Sequence, residues 1–121
     1  GGYSERNFIH IEDVSKATYL LLTSETRSRE YHISGNDVWP IREVVKLIAD
    51  RMNVNFAEHV DDAGERAGKD QAYILSSARL QEEFGWEAKI DLEEGVDETI
   101  DWYSANRNEL IQKSNQYLHK P

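Results

Sequence analysis

The chain has 121 residues, of which 39% are hydrophobic, so it can form one domain of ordinary size with a modest core. Its formal net charge of -9 opposes binding to nucleic-acid phosphates and to anionic membranes. It has no cysteine, which excludes disulfides and thiol nucleophiles, and it shows neither a membrane-length apolar run nor a signal peptide, so we expect a cytoplasmic protein.

The first quarter of the chain predicts a strand followed by a helix. Residues 8–11 (FIHI) are a short run of strand-favouring residues, and Asp13 is the predicted N-cap. Apolar residues at helical spacing then continue to about Leu22.

A second strand and a second helix are predicted next. Residues 31–33 (YHI) read as a strand that ends in the turn formers of residues 34–37. Pro40 is predicted at the first helical position, and an apolar stripe runs from Ile41 to Met52.

The second half of the chain predicts two short strands and two more helices. Residues 54–60 alternate loosely and indicate a strand, as do residues 72–75 (AYIL). Ser76 and Ser77 are predicted to cap a brief helix that Gly85 closes. A last long helix, to about residue 106, is predicted behind a capping box formed by Asp91 and Glu94.

Strands that alternate with about four helices indicate an α/β fold, and strands this few and short indicate an incomplete sheet. We expect residues 1–53 to form a strand-helix-strand-helix unit, residues 54–106 a second small unit, and residues 107–121 a peripheral tail. Trp86, Trp102 and Tyr103 are predicted to close the core.

Few side chains are candidates for phosphate binding, metal binding or catalysis. No glycine-rich phosphate loop is present. His10 and His59 stand near acidic residues at spacings that metal ligands can adopt, but such spacings are common by chance in acidic chains, and we predict no metal site.

Two arginines are the stronger candidates. Arg6 lies just before the first strand, and Arg66 lies in a glycine-containing loop with Lys69. Two converging guanidinium groups could bind a diphosphate through bidentate hydrogen bonds, or each could simply pair with a surface carboxylate. Trp39 or Tyr73 could stack on a base, although core packing is the default for aromatic side chains.

Five segments occur in a characteristic order along the chain. They are residues 6–14 (RNFIHIEDV), 31–35 (YHISG) with 41–45 (IREVV), 66–73 (RAGKDQAY), 84–89 (FGWEAK) and 92–103 (LEEGVDETIDWY). Together they resemble the extended short-chain dehydrogenases/reductases, the nucleotide-sugar epimerases and dehydratases. The resemblance covers roughly residues 2–106, and its spacing is most similar to that of dTDP-glucose 4,6-dehydratases.

The resemblance implies the C-terminal portion of a Rossmann-type enzyme, in which residues 1–53 form the end of the nucleotide-binding fold and residues 54–106 form the small domain that holds a nucleotide-diphosphate sugar. It implies that Arg6 and Arg66 bind the diphosphate and that Asn36 and Tyr73 also contact the substrate. Departures from the family pattern at Ala67, Ala72 and Ser76 leave the sugar and the base open.

The resemblance also implies a parent enzyme that uses NAD with a Tyr-x-x-x-Lys pair. This chain has neither that pair nor the NAD loop, so we expect it to contain no catalytic residues and to bind no NAD alone. Its Gly1-Gly2 start indicates a longer protein, whose N-terminal catalytic half would be a partner, and a homo-oligomer is also compatible. The alternative function is a non-enzymatic α/β interaction module that binds a protein partner.

Overall fold

The structure of the chain, a computed structural model, describes residues 1–62, 64 and 67–113. Three strands and five helices lie in these residues, so the expected α/β architecture with few short strands is confirmed, with one helix more than predicted. They are β1 (Glu5–Asn7), α1 (Ile11–Thr23), β2 (Val38–Pro40), α2 (Ile41–Arg51), α3 (Phe56–His59), β3 (Ala72–Tyr73), α4 (Ala78–Phe84) and α5 (Leu92–Leu110).

The strands form one mixed sheet in the order β2-β1-β3. β1 is central, antiparallel to β2 and parallel to β3. In this register Arg6 lies between Trp39 on one side and Tyr73 on the other. The sheet therefore brings together three segments that are far apart in sequence.

The start of α1 differs from the prediction at residues 8–11 and at Asp13. The strand is β1, just before residues 8–11, and Ile11 already belongs to the helix. His10 is the N-cap, and its Nδ1 accepts a hydrogen bond from the backbone of Glu12. Asp13 is not the N-cap, because its carboxylate accepts the backbone N–H groups of Lys89 and Ile90 instead.

The predicted strand at residues 31–33 is wrong for this structure. No sheet pairing forms there within the described residues, and β2 supplies the neighbour of β1 seven residues later. A strand requires a partner for its backbone hydrogen bonds, which sequence alone does not locate. Pro40 is the last residue of β2 and the N-cap of α2, so it is not, as was predicted, the first helical residue.

Residues 54–60 were predicted as a strand, and this prediction is wrong. Asn55 caps α3 by accepting the backbone N–H of Ala57 at 3.1 Å, and this local cap favours one helical turn. The end of α2 also has an unpredicted feature, because Asn53 adopts φ 54°. The Val54 N–H reaches Ala49 O and the Asn53 N–H reaches Asp50 O, which is a Schellman motif.

The later elements follow the predictions more closely. β3 is a shorter form of the predicted strand, and Gly85 ends α4 with φ 65°. Ser76 accepts the Ala78 N–H, but Ser77 bonds to the backbone of Ser34 and does not cap the helix through its side chain. Asp91 accepts the Glu94 N–H at 2.9 Å, as the capping box predicts, and α5 continues to Leu110.

The main core cluster lies between α1, α4 and the segment that follows α4. Leu80 and Ala17 are fully buried and Trp86 is nearly so, which confirms the prediction for Trp86. Trp102 and Tyr103 are 59% and 39% exposed, so their predicted role in the core is wrong. Helical spacing predicts Tyr103 on one stripe with Val96, whereas Trp102, six residues after Val96, lies away from that stripe.

None of the helices in the described ranges combines the length and the apolar character that a membrane crossing requires.

Candidate functional site

The site is built around Arg6, on the central strand of the sheet. Its Nη1 donates to Glu5 O at 2.6 Å and its Nη2 donates to Asp70 O at 3.1 Å. The second bond exists because β3 runs parallel to β1, so the loop that enters β3 passes beside the guanidinium. A guanidinium carries five N–H donors, so this half-buried side chain can still bind an anion.

Trp39, Arg6 and Tyr73 form a row across the sheet, which we call the Arg6 row. Residues opposite each other in neighbouring strands point their side chains to the same face. Trp39 is half-buried and Tyr73 is 58% exposed. The row therefore presents one cationic group flanked by two aromatic residues, a combination that suits a ligand with both an anionic and a planar part.

The structure places the other candidate residues differently. Asn36 is exposed in the loop before β2 and lines a pocket of about 250 Å³ whose lining includes neither Arg6 nor Tyr73. Arg66 lies outside the described residues. Among the four predicted substrate residues, the structure thus brings Arg6 and Tyr73 together and does not bring Asn36 to them.

Asn7 is a positioning residue that the sequence prediction missed. Its Oδ1 accepts the Leu75 N–H at 2.9 Å, and its Nδ2 donates to Gly35 O at 3.1 Å. Asn7 therefore ties β1 to the two segments that flank the pocket lined by Asn36. Asparagine is uncommon in strands. Its occurrence directly after Arg6 is therefore the feature of the sequence that could have identified this residue.

Gly35 allows the backbone to pass close to the start of α1. A Cβ at this position would lie 1.8 Å from Phe8 O, so no other residue fits without moving the backbone. Beside it, the Ser34 N–H donates to Ser77 Oγ at 2.8 Å, and the same hydroxyl donates back to Ser34 O. These contacts fix the loop that leads into β2.

The two histidines have local structural partners. His10 caps α1 and lies 3.4 Å from Glu98 through its Nε2, while its ring packs against Gly95 of α5. His59 is exposed and bonds to Asn55 O at 3.0 Å. In the part of the chain that the structure describes, no three His, Asp or Glu side chains are grouped as metal ligands.

Charge pairs connect α2 to α5. Arg51 donates to Asp97 and to Glu93, both at 2.8 Å. The hydrogen bond that Arg51 donates to Asp97 is the main reason why the pKa of its guanidinium is raised above its ordinary value. These pairs lie on the surface, so they help to position α5 and contribute little to stability.

Comparison with known proteins gives a consistent set of relatives. The family model described as GDP-mannose 4,6 dehydratase matches residues 1–99. The dTDP-glucose 4,6-dehydratase of Mycolicibacterium smegmatis is 36% identical over 112 residues, which cover 88% of this chain and 32% of that protein. The chain thus spans about a third of the length of the curated relatives it matches.

Solved structures show the same relationship. The dTDP-glucose 4,6-dehydratase from Bacillus anthracis, in complex with NAD, matches with a TM-score of 0.79 at 27% identity, over 88% of this chain and 33% of that one. The enzyme from Streptomyces venezuelae with NAD and TYD bound matches with a TM-score of 0.80 at 25% identity, over the same shares of each chain.

The family model covers most of the chain, and the sequence and structural matches agree with it, which confirms the resemblance drawn from the five segments. The chain therefore belongs to the GDP-mannose 4,6 dehydratase family, within the NAD-dependent nucleotide-sugar dehydratases and epimerases, and it is similar to about a third of the length of the dTDP-glucose 4,6-dehydratases it matches.

Proposed function

We propose that this chain is the C-terminal, sugar-nucleotide-binding portion of an NAD-dependent 4,6-dehydratase or epimerase. The observation that carries the proposal is the position of Arg6, half-buried on the central strand and flanked by two aromatic residues. In a protein with a net charge of -9, an anionic ligand needs such a local cationic site. Charge-assisted bonds from a guanidinium to a diphosphate are strong and geometrically specific.

Arg66 is the proposed second cation of this site. It precedes Asp70 by four residues, and Asp70 O is bonded to Arg6 at 3.1 Å. Four residues of fully extended chain span at most about 14 Å, so Arg66 is tethered within reach of the same ligand. Tyr73 completes the site from β3, and we propose that the loop of residues 61–75 closes over the sugar.

Asn36 is proposed to contact the substrate at some distance from the Arg6 row. It lies beside a pocket that shares Asn7 with the sheet, so a nucleotide sugar that extends past β1 could reach both places. This assignment rests on the family resemblance and on the pocket together.

We propose that NAD is bound by the part of the parent enzyme that lies outside this chain. Dinucleotide phosphates bind at a glycine-rich turn that opens a helix. The three long helices of this chain begin instead after His10, Pro40 and Asp91. None of these three helix starts has the glycine-rich turn that NAD requires, and the chain on its own is proposed to bind the sugar nucleotide without converting it.

The outer face of α1 is the proposed contact with the missing catalytic half. Ile11 and Tyr19 are 71% exposed and Leu22 is 80% exposed, and all three lie on one side of the helix. Ser15 and Thr18 lie between them and turn their hydroxyls back to the helix backbone. An apolar face of this kind requires a cover, either the remaining two-thirds of the dehydratase fold or the protein partner of the alternative interaction module.

Calorimetric titration of the chain with dTDP-glucose and UDP-glucose tests the binding proposal. We expect Arg6→Ala and Arg66→Ala each to raise the Kd about tenfold or more, because each removes a charged hydrogen-bond donor worth about 1.5–3 kcal/mol. Arg107→Ala removes the same charge from the exposed surface of α5 and is the matched control. An unchanged Kd for Arg6→Ala would overturn the assignment.

Sequencing the gene upstream of Gly1 separates the dehydratase portion from the interaction module. A reading frame that encodes a Gly-x-x-Gly-x-x-Gly loop and a Tyr-x-x-x-Lys pair supports the dehydratase. A frame that begins near Gly1 supports the interaction module, with α1 as the surface that its partner covers.

A further inference from the structure

We propose that Trp39 stacks on the base of the nucleotide whose diphosphate Arg6 binds. This inference rests on the function proposed above and adds a residue and a contact to it. It follows from the register of the sheet, which makes Trp39 the direct partner of Arg6 on the antiparallel side.

Arg6 makes its one long-range side-chain hydrogen bond among the described residues on the side of β3, and not on the side of Trp39. Both Glu5 O and Asp70 O accept from the guanidinium, and Asp70 belongs to the loop that enters β3. The guanidinium is therefore held towards β3. On the opposite side, the half-buried indole of Trp39 forms no hydrogen bond and no ring contact with any other described residue.

The spacing fits a nucleoside diphosphate. Neighbouring strands lie about 4.8 Å apart, and one ribose separates the diphosphate of a nucleotide from its base. A diphosphate on Arg6 thus places a base within reach of the next aromatic ring in the row. Aromatic side chains stack on any base, because every base has a π-face.

This geometry predicts affinity without base selectivity. Stacking on an aromatic ring contributes about 1–3 kcal/mol per base, which corresponds to roughly 5- to 150-fold in Kd. Trp39 should therefore strengthen the binding of dTDP and of UDP by similar factors. It should not affect inorganic pyrophosphate, which has no base.

The test measures the Kd of dTDP, UDP and pyrophosphate for the chain and for Trp39→Leu, Trp39→Phe, Trp102→Leu and Arg6→Ala. We expect Trp39→Leu to weaken both nucleotides about tenfold or more and to leave pyrophosphate within about twofold. Trp39→Phe should keep most of the nucleotide affinity, because it keeps a ring. Trp102→Leu alters an exposed tryptophan of α5 and should change nothing.

The outcomes separate this inference from the proposed function. If Trp39→Leu leaves the nucleotide affinity intact, or weakens pyrophosphate equally, stacking by Trp39 is wrong while binding through Arg6 stands. If the chain binds neither nucleotide, or if Arg6→Ala has no effect, the proposed function fails and this inference with it. Thermal unfolding of each variant shows whether the fold is kept, and should Trp39→Leu not fold, equal nucleotide affinity in Trp39→Ile and Trp39→Phe would overturn stacking.

Discussion

At the scale of single residues, Asp13 shows how a buried polar group connects distant parts of the chain. Its side chain is 1% exposed, and its Oδ2 accepts the Lys89 and Ile90 N–H groups at 2.9 Å each. Its Oδ1 is buried and has no hydrogen-bond partner among the described residues. The carboxylate thereby holds the first turn of α1 against the segment that leads into α5.

Removing this carboxylate should destabilise the fold. We expect Asp13→Ala to lower the free energy of unfolding by about 2–4 kcal/mol, because two partly buried N–H groups lose their acceptor. Asp13→Asn should cost less, since an amide oxygen can still accept both bonds. Urea denaturation measures the difference, with the exposed Asp101→Ala as control. A loss for Asp101→Ala as large as that for Asp13→Ala would contradict this role.

Gly35 is the second residue whose effect can be predicted from its surroundings. In Gly35→Ala the new Cβ would meet Phe8 O at 1.8 Å, so we expect a loss of more than about 3 kcal/mol in the free energy of unfolding. Gly85→Ala is the comparison, because a Cβ there has no neighbour within 4 Å and only the positive φ is unfavourable. It should cost about 1 kcal/mol. Equal losses in a thermal or urea melt would show that the close approach at Gly35 is absent.

At the scale of elements, local signals determined the helices better than the strands. Asp91 and Gly85 act as the caps that their residue types predict, because capping depends only on neighbours in sequence. The strands depended on partners, so residues 31–33 have strand-like composition and yet form no sheet within the described residues. The strand predicted at residues 54–60 is wrong because of a local signal. The N-cap at Asn55 favours a helical turn more strongly than the loose alternation of apolar residues favours a strand.

The contact between α2 and α5 provides a prediction at this scale. Arg51→Gln removes the pairs with Glu93 and Asp97, so it should lower the Tm slightly in dilute buffer. The difference from the unsubstituted chain should vanish in about 1 M NaCl, where the Debye length is about 3 Å. Arg107→Gln is the control, because it removes an exposed arginine of α5 that takes no part in these pairs. A Tm difference for Arg51→Gln that persists at high salt would mean that packing, and not charge, is lost.

At the scale of the whole molecule, the apolar surface is divided between a small core and an exposed helix face. Leu80 is fully buried between α1 and α4, whereas Leu22 lies on the outer face of α1. We expect Leu80→Ala to lower the free energy of unfolding by about 2–5 kcal/mol, and Leu22→Ala to change it by less than about 0.5 kcal/mol.

The same pair of variants tests the outer face of α1 as a contact surface. Sedimentation of the chain should show self-association that Leu22→Ala weakens, because an exposed apolar face favours homo-oligomers. Lys16→Ala on the same helix is the matched control, since it removes no apolar contact. Self-association that is equally strong in Leu22→Ala would place the contact elsewhere.

The sequence by itself determined the family, the α/β class and the approximate positions of α1, α2, α4 and α5. Each of these depends on local spacing, on helix caps or on motifs in a fixed order, all of which can be identified from the order of residues in the sequence. Only the tertiary structure decided that Asp13 bonds to a distant backbone and that Trp39 and Tyr73 flank Arg6. It also decided that Trp102 lies exposed. The physical reason is that strand register and burial depend on contacts between segments far apart in sequence, and no local pattern specifies which segments meet.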